Sequence, residues 1–325
     1  MPMLVSLDKH LAAAARRCKI EVPDSETIGI VMQKESIAPK APHFLVAYYT
    51  GTGSTALVAE CFCRELEGRG LCGTLQNISC TQAPILSHDL LVVVFPVHAS
   101  NAPQAMYKWL DALPPVSKTP AVVVSVSGGG EIVPNTASRV SSIKRLAKKG
   151  YEVVHDEMIV MPSNFIIGTH ELLAAKLLEV LPSKVERIAT SVLSGAGHRP
   201  KPLLVDRFLS FVGELEKPAT RWFGKAIVVS DACIGCGWCA EHCPAGNITV
   251  AEGKPTFTNH CHACLSCIYG CPQNALAAKR FKFIIVKEGY DLECFQQKLP
   301  LADPVDLDEL AKGYIWSGVK KYLQE

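Results

Sequence analysis

Cysteine spacing constrains this chain more than any other feature. Cys233, Cys236, Cys239 and Cys243 follow the pattern C-x-x-C-x-x-C-x-x-x-C with Pro244 directly behind, and Cys261, Cys264, Cys267 and Cys271 repeat it with Pro272. Each member of the second set lies 28 residues beyond its counterpart, and Leu276 follows Ile248 by the same step. One small unit has been duplicated. Eight of the 14 cysteines fall in this block, too clustered for scattered core thiols. In 325 residues they are too few for a disulfide scaffold. Asp8 and Lys9 interrupt any apolar core near the N-terminus, and Arg16-Arg17 leads into Cys18, Lys19 and Glu21 instead of an apolar run. A cytoplasmic, reducing location is expected, where clustered thiols serve metals.

The spacing has a physical logic. Three thiolates on a tight loop can hold three irons of one cubane, while the fourth, opening a helical turn, points away and completes the partner cluster. The expected ligand sets are Cys233, Cys236, Cys239 and Cys271 for one [4Fe-4S] cluster, and Cys261, Cys264, Cys267 and Cys243 for the other. All-thiolate sets suit iron–sulfur chemistry. A pair of structural zinc sites is the alternative. Zinc ribbons, however, separate two C-x-x-C knuckles by a longer loop and need neither the third close cysteine nor the proline. His242, His260 and His262 read as surface groups or neighbours of the ligands, and Trp238 as a cluster cover or an ordinary core residue. Cys18, Cys61, Cys63, Cys72, Cys80 and Cys294 read as plain thiols.

Upstream, strands and helices alternate. Strands are predicted at Phe44–Tyr49, Leu71–Ile78, Leu90–Val97, Ala121–Val126 and Glu152–Val160. Helices are predicted at Thr55–Gly68, Ala102–Leu113, Thr136–Lys149 and Glu171–Leu181. Five strands alternating with helices mean an α/β fold, a parallel sheet covered on both faces. The first strand runs into Thr50-Gly51-Thr52-Gly53-Ser54-Thr55 and then a helix. Backbone N–H groups at a helix N-terminus, with several hydroxyls, suit a phosphate dianion without any lysine. Gly51-x-Gly53-x-x-Ala56 also fits a dinucleotide fingerprint formally. That reading needs an acid about 20 residues on, and Leu71 to His88 contains no Asp or Glu.

At the cysteines the chain resembles the bacterial two-cluster ferredoxins, which implies clusters close enough to exchange electrons. The Thr/Ser/Gly run resembles the phosphate loop of flavodoxins, which hold flavin mononucleotide (FMN) on a doubly wound sheet of order 2-1-3-4-5. Two further loops stand where that resemblance puts the flavin ring: Pro96-Val97-His98-Ala99-Ser100-Asn101, and Ser127-Gly128-Gly129-Gly130. Glycines in the latter would let amides approach a ring edge. Large stacking aromatics are missing from both loops, so one ring face is expected to be open or covered by the cluster domain. His98 is a candidate proton donor to reduced flavin. With Met161-Pro162-Ser163-Asn164 after the fifth strand, residues 43–280 resemble the fused flavodoxin–ferredoxin family.

The implied organisation is an extension at 1–42 with a short helix over Leu7–Arg17, then a flavodoxin-like FMN domain at 43–182 and a helical or irregular bridge at 183–225. A small α+β two-[4Fe-4S] ferredoxin domain follows at 226–286, then a tail at 287–325 ending in an amphipathic helix from Asp306. The resemblance implies an electron-transfer flavoprotein, a converter between one- and two-electron chemistry through FMN and two [4Fe-4S] clusters. An FMN-dependent reductase of a small organic substrate (enone, quinone or tetrapyrrole) and a reductive-activation partner of a metalloenzyme are the alternatives. A redox protein is the expected donor or acceptor. A net charge of +2 offers no field for nucleic acid or an anionic surface. No window reaches 18 apolar residues, so no membrane span is expected.

Overall fold

Runs such as Leu-Leu-Val-Val-Val-Phe alternate their side chains between two faces, and both faces must be buried for such a strand to be stable. The computed structural model describes residues 41–79, 87–215 and 217–325, and shows this arrangement. Five parallel strands, β1 (His43–Tyr48), β2 (Cys72–Asn77), β3 (Leu90–Pro96), β4 (Thr119–Ser127) and β5 (Tyr151–Val160), lie in the order β2-β1-β3-β4-β5. Phe44, Val46, Val92 and Val94 face α1 (Ser54–Gly68) and α4 (Glu171–Leu193), packing with Val58, Phe62 and Ile188. Leu45, Ala47, Val93 and Phe95 face α2 (Gln104–Ala112) and α3 (Val140–Lys148), packing with Met106, Leu110 and Leu146. The chain leaves β1 for β2 on one side and returns to β3 on the other. The loops after β1, β3 and β4 therefore meet at one carboxyl edge, where such sheets bind ligands.

Several elements depart from expectation. Helix α4 continues through Pro182, so the anticipated boundary at 182/183 falls inside a helix. The apolar stripe explains the continuation: Leu177, Leu178, Leu181, Val185 and Ile188 are all buried on the sheet side. Helix α3 starts four residues late, because Thr136 is tied by its N–H and hydroxyl to Asp206, and Arg139 turns inward. The bridge contains α5 (Leu204–Leu215) and α6 (Lys217–Lys225). The helix expected from Asp306 is two, α10 (Leu307–Leu310) and α11 (Tyr314–Gln324), separated at Gly313, whose φ is 91°. Val319 and Tyr322 of α11 are buried with Val160, Leu173 and Leu177, so this helix packs on its own chain. The helix expected at 7–17, Cys18 and Cys80 lie outside the described residues.

The cysteine block repeats its backbone as well as its sequence. Short helices α7 (Trp238–Glu241) and α8 (Ser266–Tyr269) stand 28 residues apart. Left-handed residues recur at the same step: Gly235 and Ala263, Gly237 and Leu265, Gly246 and Asn274. The first copy fills all three with glycine. The second places side chains in a region that disfavours them, which marks a conformation imposed by its surroundings. Strands β6 (Ile227–Val229) and β9 (Leu276–Ala278) pair antiparallel, as do β7 (Ile248–Ala251) and β8 (Lys254–Phe257). Between β9 and α10 the chain runs through α9 (Leu292–Gln296). Among the described residues no helix is long and apolar enough to cross a membrane.

Candidate cofactor sites

The duplicated block holds two recesses, each lined by cysteines from both halves. Cys233, Cys236, Cys239 and Cys271 line one, with Ile234, Trp238, Val250 and Leu276 around them. Cys243, Cys261, Cys264 and Cys267 line the other, with Phe223, Ile227, Ile248 and Phe257. The fourth cysteine of each motif thus stands with the other motif's first three. Among the described residues no group of three or more His, Cys, Asp or Glu closes on a single metal ion. Each quartet rings a space instead, which is what a cage-shaped group needs. Backbone N–H groups already aim at sulfur at equivalent places, from Asn247 to Cys243 and from Ala275 to Cys271, both at 3.3 Å. Burial pushes the Cys264 thiol up to about 12 and Cys267 well above its usual value. Bare thiolates are therefore disfavoured in the second recess, and a cationic core is what would keep them ionised.

The neighbours have defined jobs. Trp238 lines the first recess and stacks on His242 with centroids 4.2 Å apart. A Cβ on Gly270 would lie 1.7 Å from its ring, so glycine is required there. His260 hydrogen-bonds Thr258. His262, between two ligands, lines the second recess, and its Nδ1 bonds the hydroxyl of Tyr49 at 2.7 Å. Tyr49 is fully buried at the end of β1, one residue before the phosphate-type loop.

That loop approaches the second cysteine quartet directly. A Cβ on Gly51 would lie 2.7 Å from Cys264 Cβ and 2.9 Å from its carbonyl oxygen. Gly53, with φ 98°, begins α1 without any side-chain cap, and the first turn carries no acid. The first N–H groups of a 15-residue helix are left for an outside acceptor. Thr50, Thr52, Ser54 and Thr55 add hydroxyls. Thr50 accepts from the Gly53 N–H at 3.3 Å, and Thr52 accepts from Asn164 Nδ2 at 2.7 Å. This donor set fits a phosphate monoester. Two residues outside the sequence-derived set belong to it: Asn164, from the loop after β5, and Tyr290, whose hydroxyl lies 2.5 Å from Ser54 Oγ. Asn164 lay in a stretch already singled out. Tyr290 is 236 residues from Ser54, and no local signal connects them.

The other two loops are walled by protein. Pro96 and Val97 lead into a tight reversal in which His98 and Asn101 exchange backbone hydrogen bonds of 2.8 and 2.9 Å. Ala99 and Ser100 are left-handed at its apex. The Asn101 side chain is buried and engaged by Ala99, Tyr107 and Ser210, so its own amide is committed to the bridge helix. Burial and then His262 push His98 down to about 4, so its imidazole is neutral near pH 7. Such a ring donates a hydrogen bond instead of readily releasing a proton. Ser127 Oγ accepts from the Gly129 N–H and from Asn135. A Cβ on Gly128 would strike Ser163 at 2.6 Å, and one on Gly130 would strike Gly318 of α11 at 2.7 Å. Close protein packing is thus a reason for glycine here, beside the expected approach to a ring.

Residues 229–285 match the family described as the 4Fe-4S dicluster domain. That match covers both cysteine quartets and lies outside the five-stranded sheet. The chain joins a five-stranded doubly wound parallel sheet to a 4Fe-4S dicluster domain. No curated protein matches it. Among solved structures, the chain is similar to a flavodoxin from the domain Archaea, at 15% identity over 46% of this chain and 99% of that one, TM-score 0.34. It is similar to Bacillus cereus flavodoxin 2, at 16% over 46% and 99%, TM-score 0.36. It is also similar to the rubredoxin oxygen:oxidoreductase of Desulfovibrio gigas, at 14% over 49% and 38%, TM-score 0.35.

Proposed function

We propose that the chain is a fused flavodoxin–ferredoxin, an electron-transfer flavoprotein that connects FMN, held by residues 50–55, 96–101 and 127–130, with two [4Fe-4S] clusters held by the cysteine quartets. When bound, FMN supplies two-electron chemistry and each cubane one-electron chemistry. The observation that carries the reading is the contact between Gly51 and Cys264, because it puts the phosphate-type loop against a ligand of the second quartet. The Tyr49–His262 hydrogen bond ties the same two loops a second time. Residues 43–193 carry the flavin, 226–286 the clusters, and the bridge and tail hold both in place.

The chain's own residues set access and order. Cys264 is shielded behind Gly51, whereas Cys236 is exposed beside Ile234, which is 67% accessible. The quartet of Cys233, Cys236, Cys239 and Cys271 therefore faces a redox protein, and the quartet of Cys243, Cys261, Cys264 and Cys267 faces the flavin loops. Leu265, Ile268 and Phe223, all buried, keep water away from the second quartet. The test is anaerobic reduction by a reduced ferredoxin, followed at the flavin absorbance. Replacing Cys264 by serine should slow flavin bleaching strongly while FMN stays bound. Unchanged bleaching would sink the reading.

A further inference from the structure

We propose that Tyr290 is a direct ligand for the phosphate of the bound flavin nucleotide, and that it makes the site select a phosphate monoester over free riboflavin. The inference rests on the FMN reading above and adds to it a residue from beyond the cluster domain. The Tyr290 hydroxyl lies 2.5 Å from Ser54 Oγ, and Asn164 ties the neighbouring Thr52, so it sits among the loop's hydroxyls. Its ring is buried and held in place. Tyr269 packs at 6.0 Å between centroids and Phe295 meets it edge-on at 5.8 Å. Tyr269 in turn donates to the Asn164 carbonyl and accepts from the Val286 N–H, and Asn164 reaches Thr52. Leu292 closes the same side against Gly53.

A phosphate dianion needs several donors, and this loop offers hydroxyls and helix N–H groups with no acid in its first turn. A tyrosine hydroxyl donates only while protonated. Burial pushes Tyr290 up to about 12, so it remains a donor throughout the working pH range. Hydrogen bonds to a charged acceptor are stronger than neutral ones, which makes one hydroxyl decisive for FMN and irrelevant to riboflavin.

The full chain, prepared anaerobically with its clusters and stripped of flavin, is titrated with FMN and with riboflavin while flavin fluorescence is followed. Tyr290→Phe keeps the packed ring and removes the donor. FMN affinity should fall about tenfold or more, with riboflavin affinity and iron content unchanged. Inorganic phosphate should raise the melting temperature of the wild type more than that of Tyr290→Phe. Equal losses for both flavins would assign the effect to packing and overturn the inference, as would unaltered FMN binding. Wild-type protein that binds no FMN would overturn the flavin reading itself.

Discussion

At Gly51 one missing methyl group brings two loops together. The glycine's φ is ordinary, so the requirement is steric and comes from Cys264 alone. Gly51→Ala must displace Cys264 Cβ and its carbonyl. Intramolecular flavin reduction should slow several-fold in stopped-flow traces while iron content is retained. Elsewhere, Arg139 is 2% exposed and bonds Asp156, Ser125 and Glu131. Arg139→Met leaves the buried Asp156 only its longer pair with Arg199, at 3.6 Å, and urea denaturation should register a loss of about 3 kcal/mol. Glu157 has a sign that can be worked out. Burial raises its pKa, but hydrogen bonds from His155 and Arg187 outweigh burial and hold it below the usual carboxylate value. Its contribution is present above the unfolded pKa, about 4.3, and is lost as pH falls through the folded value. The urea midpoint of Glu157→Gln should therefore fall less steeply than wild type between about pH 5 and 3.

Elements show where the sequence could be read and where it could not. The central strands were legible because buried parallel strands are nearly continuous apolar runs, and Leu90–Pro96 is buried along almost its whole length; the edge strand Cys72–Asn77 has no such run and was read from its place between helix and turn. Helix ends were less legible. Pro182 reads as a stop, yet the stripe from Leu173 to Ile188 carries the helix past it, since burial outweighs local propensity. The Ser127–Gly130 loop was placed correctly along the chain, but one reason for its glycines comes from a helix nearly two hundred residues later. Gly318 of α11 meets it so closely that a Cβ would lie 2.4 Å from the Gly129 carbonyl. Gly318→Ala should overpack this contact at a cost of about 1–3 kcal/mol, measured as a lower melting temperature with both clusters intact.

For the whole molecule, the crossed cysteine sets make a prediction that simple chain proximity would get wrong. Cys243 follows Cys239 by four residues but lines the recess of Cys261, Cys264 and Cys267. Cys243→Ser should cost the cluster beside the flavin loops, taking iron from about eight to about four per chain. The remaining spectrum should be that of the exposed cluster, and flavin reduction by ferredoxin should fail. Loss of the other cluster instead would refute the crossed assignment.

By itself, the sequence determined what depends on local order: the strand and helix alternation, the hydroxyl-rich turn, and a duplicated thiol spacing that suits a pair of cages. Contacts between distant segments were decided by the tertiary structure alone. Gly51 on Cys264, Tyr49 on His262 and Tyr290 on Ser54 each join residues more than two hundred positions apart. No periodicity or motif spans such a separation, because which surfaces meet is set by the packing of finished elements. The motifs are written along the chain; the adjacency of the hydroxyl-rich loop and the second cysteine quartet is a property of the fold.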